Sequence, residues 1–306
     1  MSTLTPALLQ DAWDVQAFGF SSMAACAWLF YDTVIAMDQE IEHIWRAKIS
    51  AVKVLYIFAR HANLGIMIFL ATTGAAHSLP DAVCHAWPSV SGAGMIVAGV
   101  SVDLLQMLRV RAIFHAQKKV TIPLYVFFSG VLLVAIIIIC TKPPASEIQP
   151  KSIFVVGCSN NGGGTPTLVA WIAEMALGGI FLILTVVKLY PQLRSRFGHT
   201  HLASTILQGG VAFYAVIFVT ELANMIYLQL MAKSPRQNLL NITLPWTLAV
   251  YGIAGPRLVL HLRGVMTQSM DVEESDNLNI PGQIDMPTMP SRSTSFRRLS
   301  SSEVAA

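Results

Sequence analysis

Residues 31–60, YDTVIAMDQEIEHIWRAKISAVKVLYIFAR, decide the fold of this chain. They close one apolar run, cross a short charged segment around Trp45, and open a second apolar run that contains Arg60. Apolar runs of about 20 residues are long enough to cross a bilayer as helices. The stretch therefore predicts two transmembrane helices joined by a short charged connection.

The composition of the whole chain agrees with an integral membrane protein. Of its 306 residues, 54% are hydrophobic and only 12% are charged, whereas a soluble domain has roughly 25% charged residues. Because lipid offers no hydrogen-bond partners to an open strand, the apolar runs are predicted to be helices. Seven spans are predicted, at about 17–37, 51–73, 89–110, 121–140, 167–190, 204–230 and 239–261.

The basic residues are distributed unevenly between the two sides of the predicted bundle. Of the 20 Lys and Arg residues, Arg60 lies inside a span; of the other 19, 15 fall on one side of the predicted bundle and only four on the other. Those four are Lys142, Lys151, Lys233 and Arg236. Since cytosolic loops carry the excess of Lys and Arg, we expect residues 1–16 to form a short extracellular N-terminus and the C-terminus to be cytosolic. This is the topology of seven-helix receptors.

The composition changes after the predicted seven-helix transmembrane domain at 17–263. Residues 264–306 are rich in Ser, Asp, Glu and Pro, which is typical of a disordered tail. Within this tail, RRLS at 297–300 has the basic pattern that precedes many phosphorylated serines. We predict Ser300 as a phosphorylation site, where a phosphate adds up to about 2 negative charges. The alternative is an ordinary solvated tail.

Two cysteines of the predicted outer loops are candidates for a disulfide. Cys84 lies just before the third span, and Cys158 lies between the fourth and fifth spans, on the oxidising side of the membrane. A Cys84–Cys158 bridge would hold the second outer loop over the bundle. Cys140, at the outer end of the fourth span, is a rival partner for Cys158.

Charged residues within spans are functional candidates, because each costs several kcal/mol at membrane depth unless it is paired. Arg60 lies in the second span, Glu174 in the fifth and Glu221 in the sixth. With Asn63 and Asn224 as hydrogen-bond partners, they are predicted to form one network. The network is either the polar floor of a ligand pocket that opens outward or a structural clamp between helices.

The inner end of the third span is a candidate for coupling to a cytosolic partner. Asp103, Arg109 and Arg111 lie there, where seven-helix receptors meet their partners. The sequence LRVRAIF lacks the acidic-Arg-aromatic triplet of the large receptor class. The alternative for the two arginines is simple anchoring at the cytosolic surface.

The charged connection in residues 31–60 is predicted to be a short amphipathic helix that lies in the membrane interface. Ile41, Ile44 and Trp45 share one face at helical spacing. Trp45 is then an interfacial anchor at the level of the lipid headgroups.

Several classes of protein are disfavoured by what the spans contain. A retinal protein needs a lysine in its seventh span, and 239–261 has none. Haem between helices needs a facing pair of histidines, but His61 is alone in its span and His261 is at a helix end. No metalloprotease, lipase or phosphate-loop motif occurs in its required context. We therefore expect no enzymatic activity, cofactor, metal site or nucleic-acid partner.

The opening stretch resembles a known family. The matching elements are Tyr31-Asp32, Asp38 to Glu42, Trp45, Lys48, Lys53-Val54-Leu55 and Arg60. They resemble the domain of unknown function at the front of many seven-helix membrane proteins of mushroom-type fungi, and a looser similarity continues over 17–264. The resemblance implies a seven-helix membrane fold but implies no ligand.

Three functions agree with these observations. The first is an orphan sensor in the plasma membrane that resembles a G-protein-coupled receptor and signals to a cytosolic G protein. The second is a proton or solute carrier or channel, in which the charges within the membrane form a path. The third is a structural membrane protein. Long inverted repeats would favour a carrier, and none is evident in the sequence.

Overall fold

The computed structural model describes residues 6–76, 79–141, 165–194, 201–234 and 236–278. Over these ranges the regular structure is helical throughout and contains no strand. The α-helices of these ranges are α1 (Pro6–Glu40), α2 (Ala51–Ile57), α3 (Asn63–Ala75), α4 (Asp81–Ile113), α5 (Lys118–Thr141), α6 (Thr165–Arg194), α7 (His201–Met231) and α8 (Leu244–Leu278). A short 3₁₀ helix, Gln237–Asn241, precedes α8.

Six helical segments in the described ranges are long and apolar enough to cross a membrane. They are Ala12–Trp45, Ala51–Ala75, Ala82–Ile113, Lys118–Thr141, Leu168–Lys188 and Val211–Met231. They coincide with the first six predicted spans, and the second segment combines α2 and α3 in one continuous rod. The prediction of an all-helical, multi-pass membrane protein is confirmed.

The last helix, α8, is not among these six, and its surroundings explain why. Between residues 247 and 260, every position except Ile253 and Arg257 is buried. Its glycines Gly252 and Gly255 lie against side chains of α1, α3 and α4. A helix that is surrounded by protein rather than lipid can carry polar and small residues. The lower hydropathy of α8 is therefore the signature of a central helix.

The chain divides into two units, and the second unit is Thr267–Ala306. Its described part is helical to Leu278, within the segment that was predicted as a disordered tail, and the prediction for the rest of the tail stays untested. Residues 265–278 contain no Gly or Pro and include helix-favouring Met, Gln and Glu, which is consistent with this extension. Residues 279–306, and with them Ser300, lie outside the described residues.

The first hairpin depends on a close backbone crossing of α1 and α3 at Gly19 and Gly74. A Cβ atom added to Gly19 would lie 2.5 Å from the carbonyl oxygen of Gly74, and one added to Gly74 would lie 2.9 Å from the Cα atom of Gly19. Small residues at a helix crossing allow this approach, which replaces side-chain contacts with backbone contacts. The two helices pack against each other in a way that larger residues would prevent.

The connection after α1 is not the separate short helix that was predicted, and its position in the membrane interface stays a prediction. The rod of α1 continues through a π-helical segment, Ile41–Trp45. Ile44 is fully buried, whereas Ile41 and Trp45 are about half exposed. The wider π winding turns Ile44 away from the other two, so the three side chains do not share a face. Trp45 is half exposed, and its role as an interfacial anchor stays a prediction.

Hydrogen bonds hold the short turn between α1 and α2. Ser50 caps α2, because its hydroxyl oxygen accepts a hydrogen bond from the backbone N–H of Lys53 at 3.3 Å. The Lys53 ammonium donates to the carbonyl oxygens of Trp45 at 3.1 Å and Ala47 at 2.8 Å. These contacts satisfy carbonyl groups that the end of the helix leaves without partners. We call this end of the bundle the Trp45 end.

The opposite end, which we call the Trp87 end, holds the α3–α4 and α7–α8 connections. Asp14 of α1 is buried and accepts hydrogen bonds from Arg236. The Asp14 carboxylate raises the pKa of the Arg236 guanidinium through this hydrogen bond. Nearby, Trp87 donates a hydrogen bond to the hydroxyl of Thr73 at 3.2 Å and packs edge-on against Phe18. These contacts join the start of α1 to the rest of the bundle.

Candidate functional site

Arg60 lies at the centre of an ionic network that we define as the buried Asp32, Glu40 and Arg60 together with Arg257, whose side chain is 46% exposed. Its side chain is fully buried, with Nη1 3.1 Å from Asp32 Oδ2 and Nε 2.5 Å from Glu40 Oε1. Its Nη2 donates a hydrogen bond to the carbonyl oxygen of Asp32 at 2.8 Å. Arg257 of α8 reaches the same carboxylate, with Nε donating to Asp32 Oδ1 at 2.6 Å. The network thus joins α1, the α2–α3 rod and α8.

The charges of the ionic network balance. Two carboxylates face two guanidinium groups, so each buried negative charge has a positive partner within contact distance. A buried ion pair costs desolvation, and it is tolerated when both partners are present and further hydrogen bonds are made. The planar guanidinium of Arg60 makes three such contacts at once, which the single ammonium of a lysine cannot reproduce.

Two π-helical segments position this network. Arg60 is the middle residue of the second, Phe58–Ala62, and Glu40 immediately precedes the first. The segments meet where the ring edge of Trp45 contacts His61, with ring centroids 5.8 Å apart. The Nε2 atom of His61 also lies 3.9 Å from Glu40 Oε2. Such widened turns are frequent at functional positions, and here they redirect the charged side chains into the bundle.

The prediction that Arg60 pairs with Glu174 or Glu221 is wrong. The side chain of Arg60 points towards the Trp45 end, where its partners Asp32 and Glu40 lie. Both partners belong to the second half of α1, eight residues apart. Glu40 was predicted to lie in a connection and was therefore not expected as a partner of Arg60. The available signal was that residues 31–45 contain no Gly or Pro, so nothing ends the helix before Glu40.

The two predicted asparagines join different parts of the bundle. Asn63 donates a hydrogen bond to the carbonyl oxygen of Leu248 at 2.7 Å and so fastens α3 to α8. The side-chain oxygen of Asn224 in α7 accepts a hydrogen bond from the hydroxyl of Thr243. Neither asparagine contacts Arg60 through these bonds, so the single predicted network is divided.

A second polar group, the acid cluster, consists of Asp103, Glu174, Glu221 and Tyr251. The carboxyl groups of Asp103 and Glu174 lie within hydrogen-bonding reach of each other, between α4 and α6. Glu221 is close enough to interact electrostatically with both of them. The hydroxyl of Tyr251 donates a hydrogen bond to Glu221 Oε1 at 3.0 Å. Helices α4, α6, α7 and α8 thus each supply one member.

The position of Asp103 corrects its predicted role in cytosolic coupling. It faces Glu174 and Glu221 in the interior and is separate from the arginines at the Trp45 end. The guanidinium of Arg109 lies over the ring of Tyr214, 5.6 Å from its centroid, while Arg111 is exposed. Of these two arginines, Arg111 is therefore the one with an exposed side chain. The coupling role of both stays a prediction.

Three members of the acid cluster, Asp103, Glu174 and Tyr251, line a cavity of about 170 Å³. The cavity extends from Trp87, Trp171 and Asn241 near the Trp87 end down to Asp103 and Glu174. One face of α4 forms much of its wall, with small residues at Ser91, Gly92 and Gly99. The remaining wall consists mainly of apolar side chains of α5 and α6. The cavity combines an apolar wall with an acidic floor, as ligand pockets commonly do.

The predicted disulfide is only partly within the described structure. Cys84 is disulfide-bonded, while Cys26 and Cys140 carry free thiols. Cys158 lies outside the described residues, so its pairing with Cys84 stays a prediction. Over the part of the chain that the structure describes, no group of three His, Cys, Asp or Glu side chains has the arrangement of a metal site.

Replacement of Tyr251 by phenylalanine is expected to destabilise the bundle by about 1–3 kcal/mol, because Glu221 Oε1 loses its buried donor. The expected result is a lower melting temperature of the purified protein in detergent. Tyr31→Phe is the matched control, since Tyr31 is exposed. Equal melting temperatures for the two variants would show that the Tyr251 hydroxyl contributes nothing to stability.

Comparison with known proteins adds one observation about the first hairpin. Residues 20–65 match the model of a family of unknown function, DUF6533. No curated protein and no solved structure matches the chain. The DUF6533 match agrees with the predicted resemblance at the N-terminal domain of unknown function.

The DUF6533 match covers most of α1, both π-helical segments and the start of α3. It includes Asp32, Glu40 and Arg60, so three of the four members of the ionic network fall within it. The fourth, Arg257, lies in α8 far along the chain. The acid cluster lies wholly outside the match. The part of the chain that the family model matches is therefore organised around the buried charges of the first hairpin.

Proposed function

We propose that this chain is a fungal seven-helix membrane protein that senses a small external ligand and signals to a cytosolic partner. In this proposal α8 crosses the membrane as the seventh helix. The Trp87 end faces outward and the Trp45 end faces the cytosol of the plasma membrane. The cavity above the acid cluster is the observation that carries the proposal, because it leads from the Trp87 end into the middle of the bundle.

The arrangement of α8 supports a sensing role. It supplies Tyr251 to the wall of the cavity and, about two turns later, Arg257 to the ionic network. One helix therefore contacts both the ligand cavity and the charged group near the proposed cytosolic side. A small displacement of α8 by a ligand would change the contacts of Arg257 with Asp32. The proposed partner at the cytosolic face is a G protein, and no catalytic step is required.

A carrier of protons or cations is the second candidate, and the acid cluster favours it. Buried carboxyl groups at membrane depth are typical of proton and ion paths. Asp103, Glu174 and Glu221 lie close together and each comes from a different helix. In this alternative the cavity is the outer part of a path that continues past the cluster.

One pair of experiments separates these functions. For a sensor, proximity labelling in cells is expected to recover a G-protein α subunit near the wild-type chain. The Arg111→Glu variant should recover less, because it reverses an exposed charge at the Trp45 end. The matched control is Lys233→Glu, which reverses an exposed charge at the opposite end. Proton or cation flux through the purified protein in liposomes, with no such labelling, would instead establish the carrier.

The proposed orientation has its own test. An epitope tag after Ala306 should react with antibody only after the cells are permeabilised, whereas a tag before Met1 should react on intact cells. The reverse pattern would contradict an external Trp87 end, and staining of both tags on the same side would contradict seven spans.

A further inference from the structure

The charge within the cavity is one-sided. Asp103 and Glu174 line its floor, and none of the described residues that line it is Lys, Arg or His. The ionic network shows the opposite arrangement, with a guanidinium beside each carboxylate. Buried carboxylates are costly unless a positive charge or hydrogen-bond donors face them. A cation placed against Asp103 and Glu174 would therefore stabilise the acid cluster.

A second observation concerns Glu221, which lies behind the cavity floor and does not line the cavity itself. Glu221 is only 2% exposed, and its Oε1 atom accepts the hydrogen bond from Tyr251. Its Oε2 atom is completely buried and has no hydrogen-bond partner. Buried polar atoms are nearly always hydrogen-bonded in native proteins. A donor within the cavity would reach the carboxyl group of Glu174, which lines the cavity and interacts with Glu221.

The cavity wall suits a cation that carries an apolar group. Trp87, Phe128 and Trp171 line it together with Tyr251. The faces of aromatic rings attract ammonium groups and also pack well against another ring. Gly99 of α4 has no side chain to crowd Glu174, whereas a Cβ atom there would lie only 3.2 Å from Glu174 Oε1. Gly99 thus allows the Glu174 carboxyl group to approach α4 and Asp103.

From these contacts we propose that the cavity binds a small organic cation, a protonated amine attached to a single apolar or aromatic ring. The ammonium group is held by the carboxyl groups of Asp103 and Glu174, and the ring lies among the aromatic side chains above them. The volume of about 170 Å³ is comparable with the roughly 150 Å³ of a cavity that admits benzene. This inference rests on the proposed ligand-sensing function and names the chemical class of its ligand.

The test uses three probes that share one ring and differ in charge. The full-length protein is purified in detergent, and binding of phenylethylamine, phenylethanol and phenylacetate is followed by tryptophan fluorescence and melting temperature. The amine is expected to bind at least about tenfold more tightly than the neutral alcohol, since a buried charge pair contributes 1.4 kcal/mol or more. The anion is expected not to bind.

Variants place the binding in the cavity. Glu174→Gln should weaken binding of the amine at least about tenfold and leave binding of the alcohol unchanged. Asp14→Asn is the matched control, because it neutralises another buried carboxylate that faces Arg236 at the bundle end. Ala170→Phe, which adds a ring to the cavity wall, should weaken binding of both probes. Melting temperatures without probe show that each variant is folded.

The outcomes separate this inference from the proposed function. Equal affinities for amine and alcohol, absence of amine binding, or an unchanged amine affinity in Glu174→Gln would each overturn the cationic ligand. None of these results bears on the recovery of a G protein in cells, which tests the sensing function. Conversely, charge-selective binding without any G-protein contact would support the cation site and contradict the signalling role.

Discussion

Replacement of Arg60 by methionine is expected to lower the free energy of unfolding by about 3–5 kcal/mol, because it leaves buried carboxylates without their partner. Glu40 is affected most, since its carboxylate is fully buried and its close cationic partner is Arg60. Asp32 retains Arg257. We expect little folded protein in detergent extracts, measured as the height of the monodisperse peak in size-exclusion chromatography after a heating series.

Two further variants test the cause of that loss. Arg46→Met removes an exposed arginine of the same hairpin and should leave the melting temperature unchanged. The double variant Glu40→Gln/Arg60→Met should be more stable than Arg60→Met alone, because it removes the uncompensated charge. If the double variant is no more stable than the single one, the charge of Glu40 is not what makes Arg60 necessary.

Substitution of Gly19 is expected to have the second large effect. In Gly19→Ala the added Cβ atom lies 2.5 Å from the carbonyl oxygen of Gly74, and this oxygen belongs to backbone that cannot rotate away. The two helices must separate, and overpacking of this kind costs about 1–3 kcal/mol. Gly19→Leu should cost more and should reduce the yield of folded protein. Melting temperature in detergent is the measurement.

Gly65 supplies the matched control for this series. It lies in the same α3 helix as Gly74, but a Cβ atom added there would meet nothing within 4 Å. Gly65→Ala should therefore be neutral or slightly stabilising, since alanine favours a helix over glycine by about 1 kcal/mol. Equal melting temperatures for Gly19→Ala and Gly65→Ala would mean that the crossing of α1 and α3 does not limit the size of residue 19.

Much of the fold follows from the sequence because membrane spans carry a strong and local signal. The first six predicted runs coincide with helices of sufficient length and apolar character. The limits of α1 were less predictable, since Glu40 and Ile44 look like parts of a polar connection. Their burial depends on the partners Arg60 and the following helix, which the local sequence does not show. Burial by distant partners also explains the modest hydropathy of α8.

The polar groups were predicted by type but not by partner. Arg60 and Glu221 are buried, and Glu174 lines the cavity, so all three lie within the bundle. Their division into the ionic network and the acid cluster depends on helix rotation and packing, which depth along a span cannot give. Tyr251 and Arg257 were missed because a tyrosine and an arginine near a helix end are common in membrane proteins. Their roles become visible only when α8 is placed against α1 and α7.

The central position of α8 has a consequence for the biogenesis of the protein. The helices made before it carry apolar faces and can leave the translocation machinery into lipid in order of synthesis. The last helix has prolines and glycines in a stretch that is largely buried by other helices. In the proposed seven-helix topology, its insertion into the membrane therefore depends on contacts with helices that have already been inserted. A chain that ends before α8 would lack this helix, and the surfaces that α8 covers would be exposed to cellular quality control.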